Sequence, residues 1–251
     1  MNDSHVPSLS VVIPAHDEET GIEWAVRAVA DSMSSLASAE RISSGEIVVV
    51  DDHSTDRTAV RVQTAAHAPD VCSSTTVRVV EVTDGRGLGA AIRAGLAAAT
   101  GDIVVYTDAD LPFDPDDIGR LMRAADRYRA DVVCGYRFDR TVEGGHRGLQ
   151  SHAYNTLVRA LLPVHVRDVN FACKLLRRPV VEALVPELRS DGPFIDAELV
   201  ARCSLHHFRI VQVGVDFFPR FETASTLGGP AAIGAILRDY LRHRRGLRSG
   251  R

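Results

Sequence analysis

The first half of the chain alternates between short apolar runs and longer segments with helical spacing. Five runs rich in valine and isoleucine have the length of buried strands, at residues 9–14, 46–52, 77–82, 102–108 and 131–136. Continuous apolar runs of this kind are typical of strands covered on both faces. Helical segments of crossover length lie between them, near residues 20–37, 56–67, 87–99 and 114–129. The alternation predicts an α/β fold with a doubly wound, mostly parallel sheet and flanking helices.

The second half of the chain is less regular. Its spacing predicts helices near residues 146–162, 177–185 and 195–204, a strand near 208–216 and a final helix near 230–245. The polar stretches 34–45 and 66–75 are interpreted as surface connections. With 251 residues, the chain has the length of one α/β domain, and we expect a single domain over residues 1–251.

Composition narrows the class of protein. The formal net charge of −4 argues against a protein that wraps nucleic acid, because that use needs a broadly positive surface. The four cysteines have no C-x-x-C spacing, so neither a zinc site nor a disulfide framework is indicated. No apolar run approaches the roughly 20 residues of a membrane helix, and the N-terminus lacks the order of a signal peptide. We expect a cytoplasmic protein, either soluble or attached to the cytoplasmic surface of a membrane.

Three of the predicted strands end in acidic residues. In chain order, the acidic exits are Asp17-Glu18, Asp51-Asp52 and Asp108-Ala109-Asp110. In open parallel sheets, ligands bind beyond the carboxyl ends of the strands, and carboxylates gathered there repel one another unless a cation or ligand donors are present. Asp108 and Asp110 therefore predict a site for a hard divalent ion that also binds a diphosphate. Helix-capping or solvated turn aspartates are the alternative.

A glycine-rich segment, residues 85–95, surrounds a predicted helix start. Gly87, Gly89 and Gly95 let the backbone turn tightly and approach either a ligand or a neighbouring strand, and both interpretations remain open. The segment lacks the G-K-[ST] ending of a Walker loop and does not fit G-x-G-x-x-G in a first βα turn. These differences disfavour phosphate-loop nucleotidases and enzymes of hydride transfer.

Five motifs, quoted in chain order, carry a family resemblance: VVIPAHDE, VVVDDHSTDRT, GRGLGAAIRAG, GDIVVYTDADL and DVNFACKLLRR. Together they resemble glycosyltransferase family two, which has the GT-A fold, a Rossmann-like fold of nucleotide-diphospho-sugar transferases. The similarity is greatest to the polyprenyl-phosphate branch, the dolichyl-phosphate mannose and glucose synthases. It implies a metal-dependent, inverting transfer of mannose or glucose from GDP-mannose or UDP-glucose to a polyprenyl- or dolichyl-phosphate acceptor. It runs from about Leu9 to Ser225.

The resemblance assigns donor binding to a set of residues on the strand exits and beyond. They are Pro14, His16, Glu18, Asp52, Asp108, Ala109, Asp110, Arg137, Lys174 and Arg220. Within this set, Asp108 and Asp110 match the D-x-D motif that carries the metal, so Mg²⁺ or Mn²⁺ is the implied cofactor. The nucleotide-binding half is then about 9–112, and the acceptor-binding half is about 113–228.

The resemblance also assigns the acceptor side. Arg147, Ser151 and Ser225 are the implied contacts of the acceptor phosphate, and Asp168 and Asp196 are the candidates for orienting the acceptor or acting as the base. An acceptor phosphate already carries a charged oxygen, so cations that position it matter more than a strong base. Glu198 has a simpler alternative role, because Arg202 lies four residues further along the same predicted helix.

The sequence departs from the branch at several positions. Pro112 stands where mannose synthases commonly carry a Gln ligand, which disfavours mannose and GDP, and His16 replaces a frequent Tyr. The basic residue that often follows the serine at position 225 is absent, so the acceptor need not be a standard long polyprenyl phosphate. Two alternatives stay open: a soluble transferase for a small phosphorylated metabolite or natural product, and a nucleotide-sugar-binding protein without turnover.

The predicted terminal helix, about 230–245, is amphipathic and basic. Its apolar stripe consists of Ile233, Ile236, Leu237, Tyr240 and Leu241, and arginines follow on the polar side and beyond. Such a helix can lie at an anionic membrane surface, as a peripheral contact near a lipid acceptor. The alternative is a helix packed on the domain with a basic tail in water.

Overall fold

The structure is a computed structural model that describes residues 5–72, 75–138, 156, 158, 162, 165–218, 234 and 238–242. Its strands are β1 (Leu9–Ala15), β2 (Gly45–Asp51), β3 (Thr75–Glu81), β4 (Ile103–Thr107), β5 (Val132–Arg137), β6 (Cys173–Arg177) and β7 (Ile210–Val215). Its helices are α1 (Ile22–Ser38), α2 (Thr58–Ala66), α3 (Pro69–Cys72), α4 (Leu88–Ala98), α5 (Asp117–Arg127), α6 (Arg178–Leu184) and α7 (Ile195–Leu205).

The seven strands form one sheet in the order β3-β2-β1-β4-β6-β5-β7. Strands β1 to β4 are mutually parallel where they pair, and β5 is parallel to β7. Strand β6 is antiparallel to both of its neighbours. Val12 of β1 lies opposite Val48 of β2 on one side and Tyr106 of β4 on the other. The carboxyl ends of these three central strands are therefore neighbours at one edge of the sheet.

The sheet is covered by helices on both faces, which explains its continuous apolar strands. All seven residues of β1 are buried: Val12 faces the core cluster that includes α4 and α7, whereas Val11 and Ile13 face the cluster that includes α1 and α5. Helix α4 packs directly on the sheet at Gly95, where a Cβ atom would lie 2.3 Å from Cγ1 of Val12. Only a glycine allows so close an approach.

The doubly wound, mostly parallel sheet is confirmed, with one strand that the sequence pattern did not predict. Strand β6 has five residues, of which Lys174 is the second, so its apolar run is interrupted and the sequence pattern does not indicate that the strand is buried. The short helix α3 lies within a stretch that was interpreted as a connection. The predicted helix near 146–162 falls mostly outside the described residues. Within that range, residues 156 and 158 are described as helical. In the part of the chain that the structure describes, no helix combines the length and the apolar content that a bilayer crossing needs.

Candidate functional site

The loops that follow β1, β2 and β4 each contain one non-glycine residue in the left-handed region. The φ angles are 54° at Asp17, 59° at His53 and 46° at Leu111. This conformation is unfavourable for residues with a Cβ atom and persists only where surrounding contacts enforce it. The same conformation also occurs after three helix ends at the opposite edge of the sheet, so these loops are distinguished by their acidic side chains. The edge formed by these three loops is the candidate functional site.

The loops after β1 and β2 are fastened to each other by hydrogen bonds. The Thr55 amide donates to Oδ1 of Asp17 over 2.7 Å, and this bond lowers the pKa of the Asp17 carboxyl, against the weaker opposing effect of burial. The Glu18 amide donates to Oγ1 of Thr58 over 2.8 Å. His16 is half-exposed, and its Nδ1 lies 2.8 Å from the carbonyl oxygen of Asp52. Three of the predicted donor-binding positions, 16, 18 and 52, are thereby brought together.

Asp52 is buried and connects the exit of β2 to the start of α4. Its Oδ2 accepts a hydrogen bond of 2.8 Å from the Gly87 amide, and Nδ1 of His53 lies 3.2 Å from its Oδ1. Gly87 has φ of 102°, and a Cβ atom there would lie 2.7 Å from the carbonyl oxygen of Asp191. Backbone conformation and close packing therefore account for this glycine without a ligand.

The predicted D-x-D motif forms a tight turn directly after β4. The Leu111 amide donates to the carbonyl oxygen of Asp108 over 3.1 Å and closes the turn. Ala109 is buried in the core and anchors it, while Asp108 and Asp110 are half-buried and Oδ1 of Asp110 is enclosed by protein. The two carboxylates flank an anchored residue in a turn of fixed shape.

This donor set fits a divalent ion that is shared with a substrate. Among the described residues, no three His, Cys, Asp or Glu side chains are grouped closely enough to bind a metal by themselves. Mg²⁺ is commonly bound through one or two carboxylates, with the remaining ligands supplied by phosphate oxygens and water. Asp108 and Asp110 supply hard oxygen ligands of that number.

Arg137, at the end of β5, is held by a buried carboxylate and two aromatic rings. Its Nε and Nη2 donate to Oδ2 and Oδ1 of Asp168 over 2.7 and 3.1 Å. The guanidinium carbon lies 5.8 Å from the ring centroid of Phe171 and 5.3 Å from that of Phe217. A two-point ion pair with ring contacts fixes the plane of the guanidinium. The two phenylalanines were not predicted as site residues, although Phe171 lies inside a quoted motif.

Lys174 and Asp196 form an ion pair in the core beneath the site. Nζ of Lys174 lies 2.6 Å from Oδ1 of Asp196, 3.0 Å from the Tyr106 hydroxyl and 2.9 Å from the Phe171 carbonyl oxygen, and the hydroxyl also donates to Asp196. Burial raises the pKa of the Asp196 carboxyl and lowers the pKa of the Lys174 ammonium, because each charged form loses its water. The network joins β4, β6 and α7. Its member on β4, Tyr106, lies two residues before Asp108.

Glu198 pairs with Arg202 as the spacing predicted, but the pair lies in the core. Nη2 of Arg202 donates to Oε1 of Glu198 over 2.8 Å, and the glutamate side chain has no exposed surface. Glu198 also accepts the backbone amides of Arg189 and Ser190. The remaining predicted contacts, Arg147, Ser151, Arg220 and Ser225, lie outside the described residues.

Comparison with known proteins identifies the family. Residues 10–185 match the model of Glycosyl transferase family 2. The chain belongs to this family. It is 31% identical over 218 residues to the glycosyltransferase AglD of Haloferax volcanii, a match that covers 86% of this chain and 34% of AglD. It is 30% identical over 245 residues to the dolichol-phosphate mannosyltransferase of Pyrococcus furiosus, covering 94% of this chain and 62% of that protein.

A third relative is, like the second, named after a lipid phosphate. The undecaprenyl-phosphate 4-deoxy-4-formamido-L-arabinose transferase of Pseudomonas paraeruginosa is 37% identical over 180 residues, which cover 70% of this chain and 49% of that protein. The predicted resemblance to the polyprenyl-phosphate branch is confirmed. The chain spans between one third and about three fifths of the length of these curated relatives.

Solved structures share the fold. The glucosyl-3-phosphoglycerate synthase of Mycobacterium tuberculosis, crystallised with Mn²⁺, uridine diphosphate and glucosyl-3-phosphoglycerate, superposes with a TM-score of 0.65 at 23% identity, covering 92% of this chain and 79% of that one. Its complex with phosphoglyceric acid gives a TM-score of 0.68 at 24% identity, with the same coverage. The GT-A fold predicted from the motifs is confirmed.

Proposed function

We propose that this chain carries out a metal-dependent, inverting transfer of one hexose, mannose or glucose, from a nucleotide-diphosphate sugar to a phosphate-bearing lipid of the polyprenyl type. One observation carries the proposal. The exits of β1, β2 and β4 lie side by side at one edge of the sheet, with Asp52 on one strand exit and Asp108 and Asp110 on another. This arrangement offers hydrogen-bond acceptors for a base and hard ligands for a metal diphosphate.

Asp108 and Asp110 are the residues that would bind the cofactor, Mg²⁺ or Mn²⁺. A bound divalent ion supplies neutralisation of the negative charge that develops on the leaving diphosphate. The residues around the turn contribute by keeping the two carboxylates in place, since Ala109 is anchored in the core. A crystal structure with the same fold contains Mn²⁺ and uridine diphosphate, which supports this part of the proposal.

Asp52 and His16 are proposed to contact the base end of the donor, with Pro14 and Glu18 shaping the loop around them. A carboxylate has about four acceptor positions. The Gly87 amide uses one on Oδ2 of Asp52, and the His53 ring is close to Oδ1. The carboxylate therefore keeps acceptor capacity for the N–H groups of a base, and the Gly87 bond fixes its orientation in advance.

Arg137 and Arg220 are proposed to face the donor diphosphate. Asp168 orients Arg137 through two hydrogen bonds, so it influences the reaction either through that arginine or by orienting the acceptor. Asp196 and Lys174 are proposed to act from beneath the site, because their network holds Tyr106 two residues before Asp108. Asp196 can serve as a base only if its hydrogen bond to Lys174 is replaced by one to the acceptor.

The acceptor side of the proposal rests on the relatives and on the matched residues. The names of two relatives specify dolichol phosphate and undecaprenyl phosphate. Arg147 and Ser151 are spaced by one helical turn, so a guanidinium and a hydroxyl on a helix can bind one phosphate together. Residues 156 and 158, just beyond them, are helical.

The described part of the terminal helix supports packing on the domain. Tyr240 is buried, with its ring centroid 6.3 Å from that of Phe194, while Leu241 is 55% exposed. A peripheral contact with the cytoplasmic membrane surface remains part of the proposal, carried by Leu241 and the neighbouring arginines. In that arrangement the helix would touch the domain with one side and lipid with the other.

The deciding experiment measures transfer by the purified chain from GDP-mannose and UDP-glucose, with and without Mn²⁺. The acceptors compared are a polyprenyl phosphate in vesicles and a small soluble phosphorylated compound such as phosphoglycerate. We expect Mn²⁺-dependent transfer to the lipid. Transfer to the soluble compound alone would establish the small-acceptor alternative, and nucleotide-sugar binding without turnover on any acceptor would establish a binding protein.

Arg147→Ala tests the acceptor contact within that assay. Loss of a charge-assisted bond worth about 1.5–3 kcal/mol should raise the KM for acceptor by one to two orders of magnitude, whereas donor affinity measured alone should stay near wild type. Arg123→Ala is the matched control, since Arg123 is exposed on α5. If Arg147→Ala weakened donor binding and left acceptor dependence untouched, the phosphate-acceptor assignment would be wrong.

A further inference from the structure

The segment 189–194, which precedes α7, is contacted from three directions. Helix α4 lies against it on one side, Glu198 of α7 accepts its amides on another, and the terminal helix packs on it through Asp239 and Tyr240. Neither α4 nor the terminal helix has a role in the proposed chemistry. The contacts nevertheless continue, through the backbone, to Asp52.

The contact with α4 is close enough to exclude side chains. The Gly89 amide donates to the carbonyl oxygen of Asp191 over 2.8 Å, and Nη2 of Arg93 donates to Oδ1 of Asp191 over 2.6 Å. A Cβ atom at Gly89 would lie 2.2 Å from the carbonyl oxygen of Ser190. The start of α4 therefore cannot shift toward segment 189–194, and hydrogen bonds from Gly89 and Arg93 join it to that segment.

The contact with α7 gives the segment a fixed base. Glu198 accepts the Ser190 amide over 2.8 Å and the Arg189 amide over 3.1 Å. Arg202 balances its charge within the core. Because a buried carboxylate with several donors is costly to disturb, this end of the segment is the rigid one.

The contact with the terminal helix is smaller and lies nearer the surface. The Ser190 hydroxyl donates to Oδ2 of Asp239 over 3.2 Å. The rings of Phe194 and Tyr240 meet edge to face, at an interplanar angle of 70°. Such an aromatic contact contributes beyond its buried area, and its removal leaves the apolar surface of Phe194 uncovered.

We propose that segment 189–194 is a positioning element of the nucleotide site and that the terminal helix sets its position. The path runs from Tyr240 and Asp239 to segment 189–194, from there to the start of α4, and ends in the Gly87 amide that donates to Asp52. Loss of the helix contact lets the segment and the start of α4 relax outward, and Asp52 loses the donor that orients it. This inference rests on the proposed function in one respect, that Asp52 contacts the nucleotide.

Tyr240→Ala is the principal test, with Tyr240→Phe and Leu241→Ala as matched variants. Tyr240→Phe keeps the ring against Phe194, and Leu241 is exposed on the same turn. Calorimetry with UDP and GDP, without metal, should give a dissociation constant about three- to ten-fold higher for Tyr240→Ala. Tyr240→Phe and Leu241→Ala should bind as wild type does.

Amide hydrogen exchange supplies a readout that does not depend on nucleotide binding. The Gly87 and Gly89 amides donate to Asp52 and Asp191, so their exchange should become faster in Tyr240→Ala, while amides of helix α5, which packs on β5 and β7 instead of α4, keep their wild-type rates. If Tyr240→Ala does not fold, Asp239→Ala replaces it, and Asp239→Asn, which retains an acceptor for Ser190, is its control.

The outcomes separate this inference from the proposed function. Wild type that binds neither nucleotide, together with faster Gly87 and Gly89 exchange in Tyr240→Ala, would contradict the proposed function and leave the mechanical link standing. Wild-type affinity and unchanged exchange in Tyr240→Ala would overturn the link. Equal losses in Leu241→Ala would also overturn it, because a general effect on the helix would then replace the specific contact.

Discussion

Both edges of the sheet carry carboxylates, but their surroundings differ. At the amino-terminal edge, Glu46 accepts the Ser10 hydroxyl over 2.6 Å and Nη2 of Arg78 over 2.8 Å. Asp102 accepts the amide and the hydroxyl of Ser8, each over 2.8 Å. At the carboxyl-terminal edge, the acidic loops are joined to each other by hydrogen bonds, such as that from the Thr55 amide to Oδ1 of Asp17. The amino-terminal carboxylates join strands to one another, whereas the carboxyl-terminal carboxylates Asp17 and Asp52 join loops to one another.

The titration of Glu46 reflects this difference. Burial by itself raises the pKa of Glu46, but hydrogen bonds from Ser10, Thr100 and Arg78 outweigh it and lower the pKa to about 2. A carboxylate supplied with donors in this way stabilises the fold in its charged form. An acidic residue at a strand end therefore indicates a ligand site only when its own hydrogen-bond donors are also known.

The largest expected effect of any change at either edge is that of Asp110→Asn. The amide keeps the shape of the side chain and removes the charge that a metal requires, so Mn²⁺-supported transfer should fall by about 100-fold or more, with the melting temperature close to wild type. Asp114→Asn is the control, because Asp114 is exposed and caps a turn through an oxygen that asparagine retains. Wild-type turnover with ordinary metal dependence in Asp110→Asn would remove the D-x-D assignment.

Asp52→Ala should weaken nucleotide binding by about ten-fold even without metal, a loss of roughly 1.4 kcal/mol. Asp52→Asn sharpens the test, because its side-chain oxygen can still accept the Gly87 amide. If Asp52→Asn also binds weakly while Gly87 stays protected from exchange, the carboxylate contacts the nucleotide directly. Unchanged affinity in both variants for every nucleotide tried would make the position structural, like those of the opposite edge.

Glu46→Gln should lower stability and leave the site untouched. Loss of charge-assisted bonds to Ser10 and Arg78 costs about 1–3 kcal/mol, which corresponds to a fall in Tm of roughly 3–8 °C for a chain of this size. Nucleotide affinity should equal that of wild type. Glu182→Gln, an exposed position on α6, should shift neither quantity, and a loss of nucleotide binding in Glu46→Gln would contradict the division between the two edges.

The smallest expected effect is the dependence of that Tm difference on pH. Because the folded-state pKa of Glu46 is lowered from 4.5 to about 2, its contribution is fully present above 4.5 and is lost as the pH falls through about 2. The Tm gap between wild type and Glu46→Gln should stay constant at neutral pH and narrow in acid. A gap that widened in acid would mean that the pKa of Glu46 is raised instead.

Sequence reasoning was most reliable where a pattern repeats and least reliable where distant residues combine. The alternation of strands and helices predicted β1 to β5, since each valine-rich run is covered on both faces. Strand β6 was missed because Lys174 interrupts its apolar run, and its charge is compensated by Asp196, a residue 22 positions away. The rings of Phe171 and Phe217 contact Arg137 from different parts of the chain, before β6 and after β7. Local spacing in the sequence does not predict such a contact.

The fold class, the family resemblance and the acidic strand exits follow from the amino-acid sequence alone, because periodicity and short motifs are local properties of the chain. Tertiary structure decided what each charged residue does. Glu46 lies near the start of strand β2 and Asp52 directly after its end, yet Glu46 accepts donors from Ser10, Arg78 and Thr100, whereas Asp52 accepts the Gly87 amide and lies beside the His53 ring. Burial and partner geometry arise only when distant segments meet, and these quantities separate a carboxylate that stabilises the sheet from one that can bind a ligand.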